Sequence, residues 1–202
     1  MSRTTSHLFV VAAAFLLGSC APHYVAPNFS AGYQSHTKTF AIAPIANMST
    51  DKEGGTAGQA IREAIFYELT RKQDHYTVAI QDIAETDKRI HDASMSDSTA
   101  SRLPAPDLCK LIGVDAVMKG SVTRYVKKGA VGQFATALLV GLAFAKGSEV
   151  KADVAIYDGT DGKLIWQHNI EKAGGLLSSP DGLRNAVGRT VAGKFPYRKP
   201  KA

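Results

Sequence analysis

The stretch Val150-Lys-Ala-Asp-Val-Ala-Ile-Tyr-Asp-Gly-Thr-Asp-Gly-Lys-Leu-Ile-Trp166 decides the fold. Val150, Ala152, Val154 and Ile156 alternate with Lys151 and Asp153, the period of a strand with one buried face. Asp158-Gly159-Thr160-Asp161-Gly162 is turn chemistry, and residues 164–170 supply the return strand with Trp166 on the apolar face. The same period of two begins at Asp115, where Ala116, Met118, Gly120 and Val122 face one way and Lys119, Ser121 and Thr123 the other.

Working back from these strands, residues 39–45 (TFAIAPI) read as a buried strand that Pro44 ends or confines to an edge. A polar loop, residues 47–56, leads to a helix. Ala57, Ile61, Ala64, Ile65 and Leu69 recur at spacings of three and four, with Arg62, Glu63, Glu68 and Arg71 on the other face and Thr56 as a candidate cap. Residues 76–80 (YTVAI) predict a short strand and 82–93 a charged helix. Residues 94–102 read as a mobile Ser-rich linker, and Pro104 and Pro106 open a short helix closed by Gly113. Residues 180–194 read as the last helix. The order predicts an α/β (α+β) sandwich, a mixed sheet with helices packed on one face.

The amino terminus carries a different signal. Arg3 is followed by the apolar run LFVVAAAFLL at residues 8–17, too short for a membrane span and suited to a signal peptide. It ends in Leu17-Gly18-Ser19-Cys20, which resembles the bacterial lipobox. Residues 1–19 are therefore expected to be cleaved, and the thiol of Cys20 to carry lipid, whose acyl chains each bury many methylenes at about 0.8 kcal/mol apiece. Ala21 in place of an Asp points to the outer membrane, periplasmic face. Residues 20–37 read as a tether, 38–197 as a single periplasmic domain, and 198–202 as a basic tail.

About 180 residues remain after cleavage, enough for one domain with a real core. Lys plus Arg number 24 against 18 Asp plus Glu, and losing Arg3 lowers the excess from +6 to +5. That modest, scattered excess suits anionic surfaces such as lipid headgroups or cell-wall polymer, and no nucleic-acid partner is expected. With Cys20 committed to lipid, Cys109 has no partner in its own chain and reads as a small buried apolar side chain.

Between Lys128 and Lys146 run seventeen uncharged residues, GAVGQFATALLVGLAFA. A helix of that length reaches about 25 Å against a hydrocarbon core of about 30 Å. It also sits between two strands of one sheet, so a single crossing would leave the hairpin on the wrong side. Three readings stay open for the insertion 129–147: packing on the domain, a surface for self-assembly, or a dip into the membrane. Phe134, Leu138, Leu139, Leu142 and Phe144 are the candidate interface residues.

The run Gly113-Val-Asp-Ala-Val-Met-Lys-Gly-Ser-Val-Thr-Arg-Tyr125, a variable insertion, and then residues 150–166 together resemble the CsgG superfamily of envelope lipoproteins, which includes LpoB-type proteins and shares its fold with the amino-terminal domain of TolB. The resemblance covers roughly residues 38 to 195. It implies a TolB-N/CsgG-like sandwich in the periplasm and a role in envelope assembly or export, without catalysis. The secretion channel of that group uses two inserted hairpins per subunit. Only one insertion occurs here, without the alternation of a barrel strand, so a curli-type pore is not expected.

Chemistry is sparse. None of the six histidines stands in metal-ligand spacing, there is no Gly-x-Ser-x-Gly elbow, and no cofactor is expected. Glu53-Gly54-Gly55-Thr56 could cradle an anion but lacks a P-loop lysine. Asp153 and Asp158 read as solvated strand and turn residues. The leading expectation is a non-enzymatic, lipid-anchored assembly component of an envelope export complex that associates with itself or with other envelope proteins. A tethered regulator of a peptidoglycan synthase is the alternative, and a hydrolase, which would need a pocket of convergent polar groups, the third.

Overall fold

The computed structural model describes residues 23–50, 55–126, 148–174 and 180–200. Among the described residues seven strands form one mixed sheet in the order β1-β7-β6-β5-β2-β4, with β3 paired to β5 off that path. They are β1 (His23–Val25), β2 (Thr39–Ile42), β3 (Ala46–Asn47), β4 (Ala79–Ile80), β5 (Ala116–Val126), β6 (Glu149–Asp158) and β7 (Leu164–Ala173). The described helices are α1 (Gln34–His36), α2 (Ala57–Thr70), α3 (Ile83–Asp92), α4 (Asp97–Ala100), α5 (Ala105–Ile112) and α6 (Pro180–Lys194). β5, β6, β7 and β1 are mutually antiparallel neighbours, whereas β2 runs parallel to both β5 and β4.

The hairpin forms as its period predicts. Val150, Ala152, Val154 and Ile156 are buried along β6, and Trp166 is fully buried on β7. This face meets Ile61, Ile65 and Leu69 of α2 and Val187 and Val191 of α6 in the main core. α2 and α6 approach closely because Gly188 has no side chain: a methyl there would lie 2.3 Å from the Ala64 carbonyl oxygen.

Helices cover both faces of the sheet, not the single face expected. Ala41, Ala43 and Val117 turn to the opposite side and pack under Ile90 of α3, Ala100 of α4, and Leu108, Cys109 and Ile112 of α5. The cause is local. β2 and the start of β5 are apolar at consecutive positions, so both of their faces need cover. The small side chains of Ala41 and Ala43 leave room for α5.

Helix ends follow their side chains. Asp82 caps α3 by accepting from the Ala84 amide at 2.7 Å. α5 stops at Gly113, whose φ of 70° is the left-handed conformation that glycine adopts without strain. Thr56 precedes α2 but makes no side-chain cap. Residues 94–102 are not a bare linker: Ser96 caps α4, accepting from the Thr99 amide at 3.3 Å, and Ala100 is fully buried.

Two charged residues assigned to the solvent face of α2 are buried, Glu68 and, completely, Arg62. Arg62 Nε donates to the Ile42 carbonyl at 3.0 Å and Nη1 to Asp87 Oδ1 at 2.6 Å. A long side chain with a planar fork can reach across the helix–sheet junction to both.

The described part of the expected tether belongs to the body. β1 pairs with β7, Val25 opposite Trp166 and His23 opposite His168. A π-helical turn, Phe29–Tyr33, then runs into α1 and buries Phe29 and Tyr33. Phe29 meets the ring of Tyr197 edge-on at 5.1 Å. Among the described residues the folded unit thus starts at His23, where small and polar residues suggest a free chain from 20 to 37.

The basic end is likewise docked through residue 199. Tyr76 forms an antiparallel bridge with Arg198, and the Lys199 amide donates to the His75 carbonyl at 2.9 Å. Pairing with the chain end occupies Tyr76 and Thr77, so the strand expected at 76–80 shrinks to β4.

Candidate functional site: the two ends of the sheet

The sheet has two chemically different ends. At one lie the β6–β7 turn and the starts of β2 and β5. At the other, β5 ends at Val126, β6 begins at Glu149 and β7 ends at Ala173, with Val126 opposite Glu149 and Glu149 opposite Ala173. The apolar insertion leaves and re-enters at this second end.

The turn end gathers polar groups. Asp158 is 1 % exposed, so it is not the solvated turn residue expected. Its Oδ1 accepts the amides of Thr160 and Asp161 at 2.8 and 3.1 Å, and its Oδ2 lies 2.8 Å from Nε2 of His36. The hydrogen bond to Asp158, outweighing partial burial, raises the His36 pKa above the usual imidazole value. Asp115 Oδ2 accepts the amides of Lys38 and Thr39, both at 2.8 Å, and the Thr39 hydroxyl at 3.0 Å. Burial pushes Asp115 up, but those three donors outweigh it and hold the carboxyl below its usual range.

Cys109 abuts this cluster. Gly159 passes so close that a methyl there would lie 3.0 Å from the Cys109 sulfur and 2.6 Å from the Asp115 carbonyl oxygen. Burial, then the nearby Asp158 and Asp115 charges, push the thiol up to about 12. A thiol so far from ionisation is a poor nucleophile, in keeping with the packing role expected of it. Among the described residues no group of three or more His, Cys, Asp or Glu could hold a metal. The chemistry of this end is that of a latch, carboxylates gripping backbone amides and one imidazole. Sequence reading missed it because its members are far apart in the chain. The Asp-Gly-x-x-Gly turn was the available signal, since an aspartate opening such a turn accepts the amides that follow it.

The insertion end is charged and crossed by ion pairs. Arg124 Nε meets Glu149 at 2.7 Å, and Lys151 bridges to Glu171 at 3.0 Å. The Tyr125 amide donates to Ser49 Oγ at 3.2 Å, and the Gly174 amide to the Ser148 carbonyl at 2.9 Å. Cys20 and the candidate interface residues Phe134, Leu138, Leu139, Leu142 and Phe144 lie outside the described residues, as do Glu53 and Gly54 of the glycine-containing loop. Among the described residues no helix is long and apolar enough to cross a membrane.

This arrangement, a seven-stranded mixed sheet with helices packed on it, is an α/β fold shared with bacterial lipoproteins. The chain superimposes on lipoprotein GNA1162 from Neisseria meningitidis with a TM-score of 0.56 and 16% identity, over 78% of this chain and 97% of that one. It superimposes on the PelC dodecamer from Paraburkholderia phytofirmans with a TM-score of 0.55 and 15% identity, over 89% and 98%. The carboxyl-terminal domain of LpoB from Salmonella enterica fits less well, at a TM-score of 0.44 and 10% identity over 68% of this chain and 84% of that one. At these identities the likeness is one of fold. No protein-family model matches the chain, and no curated protein is similar to it in sequence.

Proposed function

We propose that the chain is a lipid-anchored, non-enzymatic component of an envelope export complex, held at the periplasmic face of the outer membrane and assembling with copies of itself or with other envelope proteins. The observation that carries this reading is the fold shared over nearly the whole chain with a protein crystallised as a dodecamer. The lipobox at residues 17–20 and the uncharged run 129–145 support it from the sequence. Regulation of a distant peptidoglycan synthase needs reach. The docking of β1 works against that alternative, because only residues 20–22 separate the expected lipid from the body.

The test is the molar mass of the mature protein in mild detergent, by light scattering with the detergent subtracted. A discrete multimer is expected, and a clean monomer would overturn self-assembly. Cys20→Ser should release the protein from the membrane fraction, and unchanged partition would remove the anchor.

A further inference from the structure

The strand order ends in β1 on one side and β4 on the other, and the two edges are finished differently. At β4 the amides of Ala79 and Gln81 turn inward and donate to the Lys38 and Phe40 carbonyls at 2.7 and 2.8 Å. The outward groups of that edge are taken by one side chain. Gln73 Nε2 donates to the Val78 carbonyl at 2.7 Å, and Gln73 Oε1 accepts the Ile80 amide at 3.3 Å. The carboxamide thus stands where the backbone of a further strand would lie. Just before β4 the Thr77 amide donates to the Tyr197 carbonyl at 2.9 Å, so the chain end covers that part of the edge. An edge filled in this way is shut to strand addition.

β1 has no such cover among the described residues. The Ala26 amide donates to the Ile165 carbonyl at 2.8 Å, and Tyr24 stands opposite Gln167 in the same register. Antiparallel pairing alternates, so the amide and carbonyl of Tyr24 turn to β7 and those of His23 and Val25 turn outward. The strand, His-Tyr-Val, carries no Lys, Asp, Glu or Pro to repel or block a neighbour. Among the described residues four large apolar side chains are exposed. Two of them, Tyr24 at 43 % and Val25 at 37 %, are neighbours on this strand.

The occupant that fits is a second copy of this chain. A head-to-tail row would have to use β4, which is shut, so β1 of one copy is left with β1 of the other. In an antiparallel pair centred on Tyr24, the outward groups of His23 meet those of Val25 in the second copy, and each such pair exchanges both of its backbone hydrogen bonds. Tyr24 meets Tyr24 at the axis, an aromatic cross-strand pair, and no like charges face each other. We infer that two copies associate edge to edge through β1, antiparallel about a two-fold axis at Tyr24, joining their sheets into one. The inference deepens the self-association read above and rests on it. A two-fold contact closes on itself, so it makes a dimer, and any larger multimer needs a further surface.

Strands of three residues make a small contact, so the experiment traps it. The mature full-length protein in mild detergent is oxidised with copper phenanthroline and run without reductant. In this register the two Tyr24 Cα atoms lie about 4.5 Å apart, within disulfide reach, and the two Val25 Cα atoms about 8 Å apart, outside it. Tyr24→Cys is expected to give a cross-linked dimer several-fold above wild type, whose buried Cys109 sets the background, and Val25→Cys a yield near that background. Adding Val25→Pro to Tyr24→Cys removes an outward N–H that β7 does not use. It should cut the trapped dimer several-fold at an unchanged melting temperature, and an undiminished dimer overturns the inference. Equal yields from positions 24 and 25, or no Tyr24→Cys dimer while light scattering still finds a multimer, overturn the β1 contact and leave self-association standing. A clean monomer by light scattering with no trapped dimer overturns both.

Discussion

Nε2 of His36 and Oδ2 of Asp158 lie 2.8 Å apart, joining the segment that follows β1 to the turn of the central hairpin. The carboxylate is buried and the imidazole about half exposed. Asp158 raises the His36 pKa, so the contact stabilises the fold fully below the unfolded histidine value of 6.5. The stabilisation is lost as pH rises through the folded value. We expect His36 to titrate above 6.5 by NMR in the wild type and to fall towards 6.5 in Asp158→Asn. Amide exchange in residues 26–36 should quicken as pH passes from 6 to 8, after correction for intrinsic rates. An unshifted His36 would remove the contact.

Arg62 and Asp87 form the second test. The guanidinium is almost entirely buried, and Nη2 has no hydrogen-bond partner among the described residues. Asp87→Ala removes the counter-charge and leaves the cation in the core. Breaking such a pair costs about 3–5 kcal/mol, and the partial exposure of Asp87 argues for the lower end. Denaturant unfolding of Asp87→Ala checks it. Arg62→Met, which removes the charge and keeps much of the volume, should cost less than Asp87→Ala.

Gly188→Ala should push α6 away from α2, because the new methyl would meet the Ala64 carbonyl. Overpacking of this kind costs about 1–3 kcal/mol. Gly193, on the same helix with open space around its Cα, is the control: Gly193→Ala should be neutral or slightly stabilising by thermal unfolding.

Phe29 tests the docking of the segment once read as a tether. It is 8 % exposed and packs against Tyr197. Phe29→Ala should destabilise by about 3–5 kcal/mol in thermal or denaturant unfolding. A free tether would give almost no change.

Leu138→Glu combined with Leu142→Glu should weaken any multimer seen in detergent while leaving the far-ultraviolet circular dichroism and the melting temperature of the body unchanged. Full retention of the multimer would take these residues out of the interface.

Most of the sheet was legible because its central strands are half-buried, and half-burial writes a period of two into the sequence. Val150 to Ile156 is the clearest case. α2 was legible for the same reason at its own period. What escaped was whatever depends on a partner far along the chain. Ala41 and Ala43 do not announce a second layer, and only the arrival of α5 shows why they are small. Arg62 sits at a helical position that alternation assigns to solvent, yet its reach to Ile42 and Asp87 takes it inside. Residues 23–37 are too polar to look like core, because their hold comes from the edge of β7 and from two aromatic side chains. The latch at the turn end draws on three separate stretches, around residues 36–39, 115 and 158–161, so spacing along the chain could not reveal it.

If Cys20 carries lipid, as proposed above, the pairing of β1 with β7 also fixes when the body is drawn to its membrane. In the unfolded chain residues 21–38 are slack, able to pay out to about 60 Å from Cys20. β7 lies near the far end of the sequence, so the edge strand is added only after nearly the whole chain is available. Closing it shortens the line to about 10 Å. Folding thus hauls the body in to the surface, and part of the free energy of closing that edge is spent on confining it there. Loosening β1 alone, with Ala26 and Phe29 still buried, would let the line out by only the three residues of β1, so this edge and the two aromatic residues behind it together set how far from the bilayer the body can work.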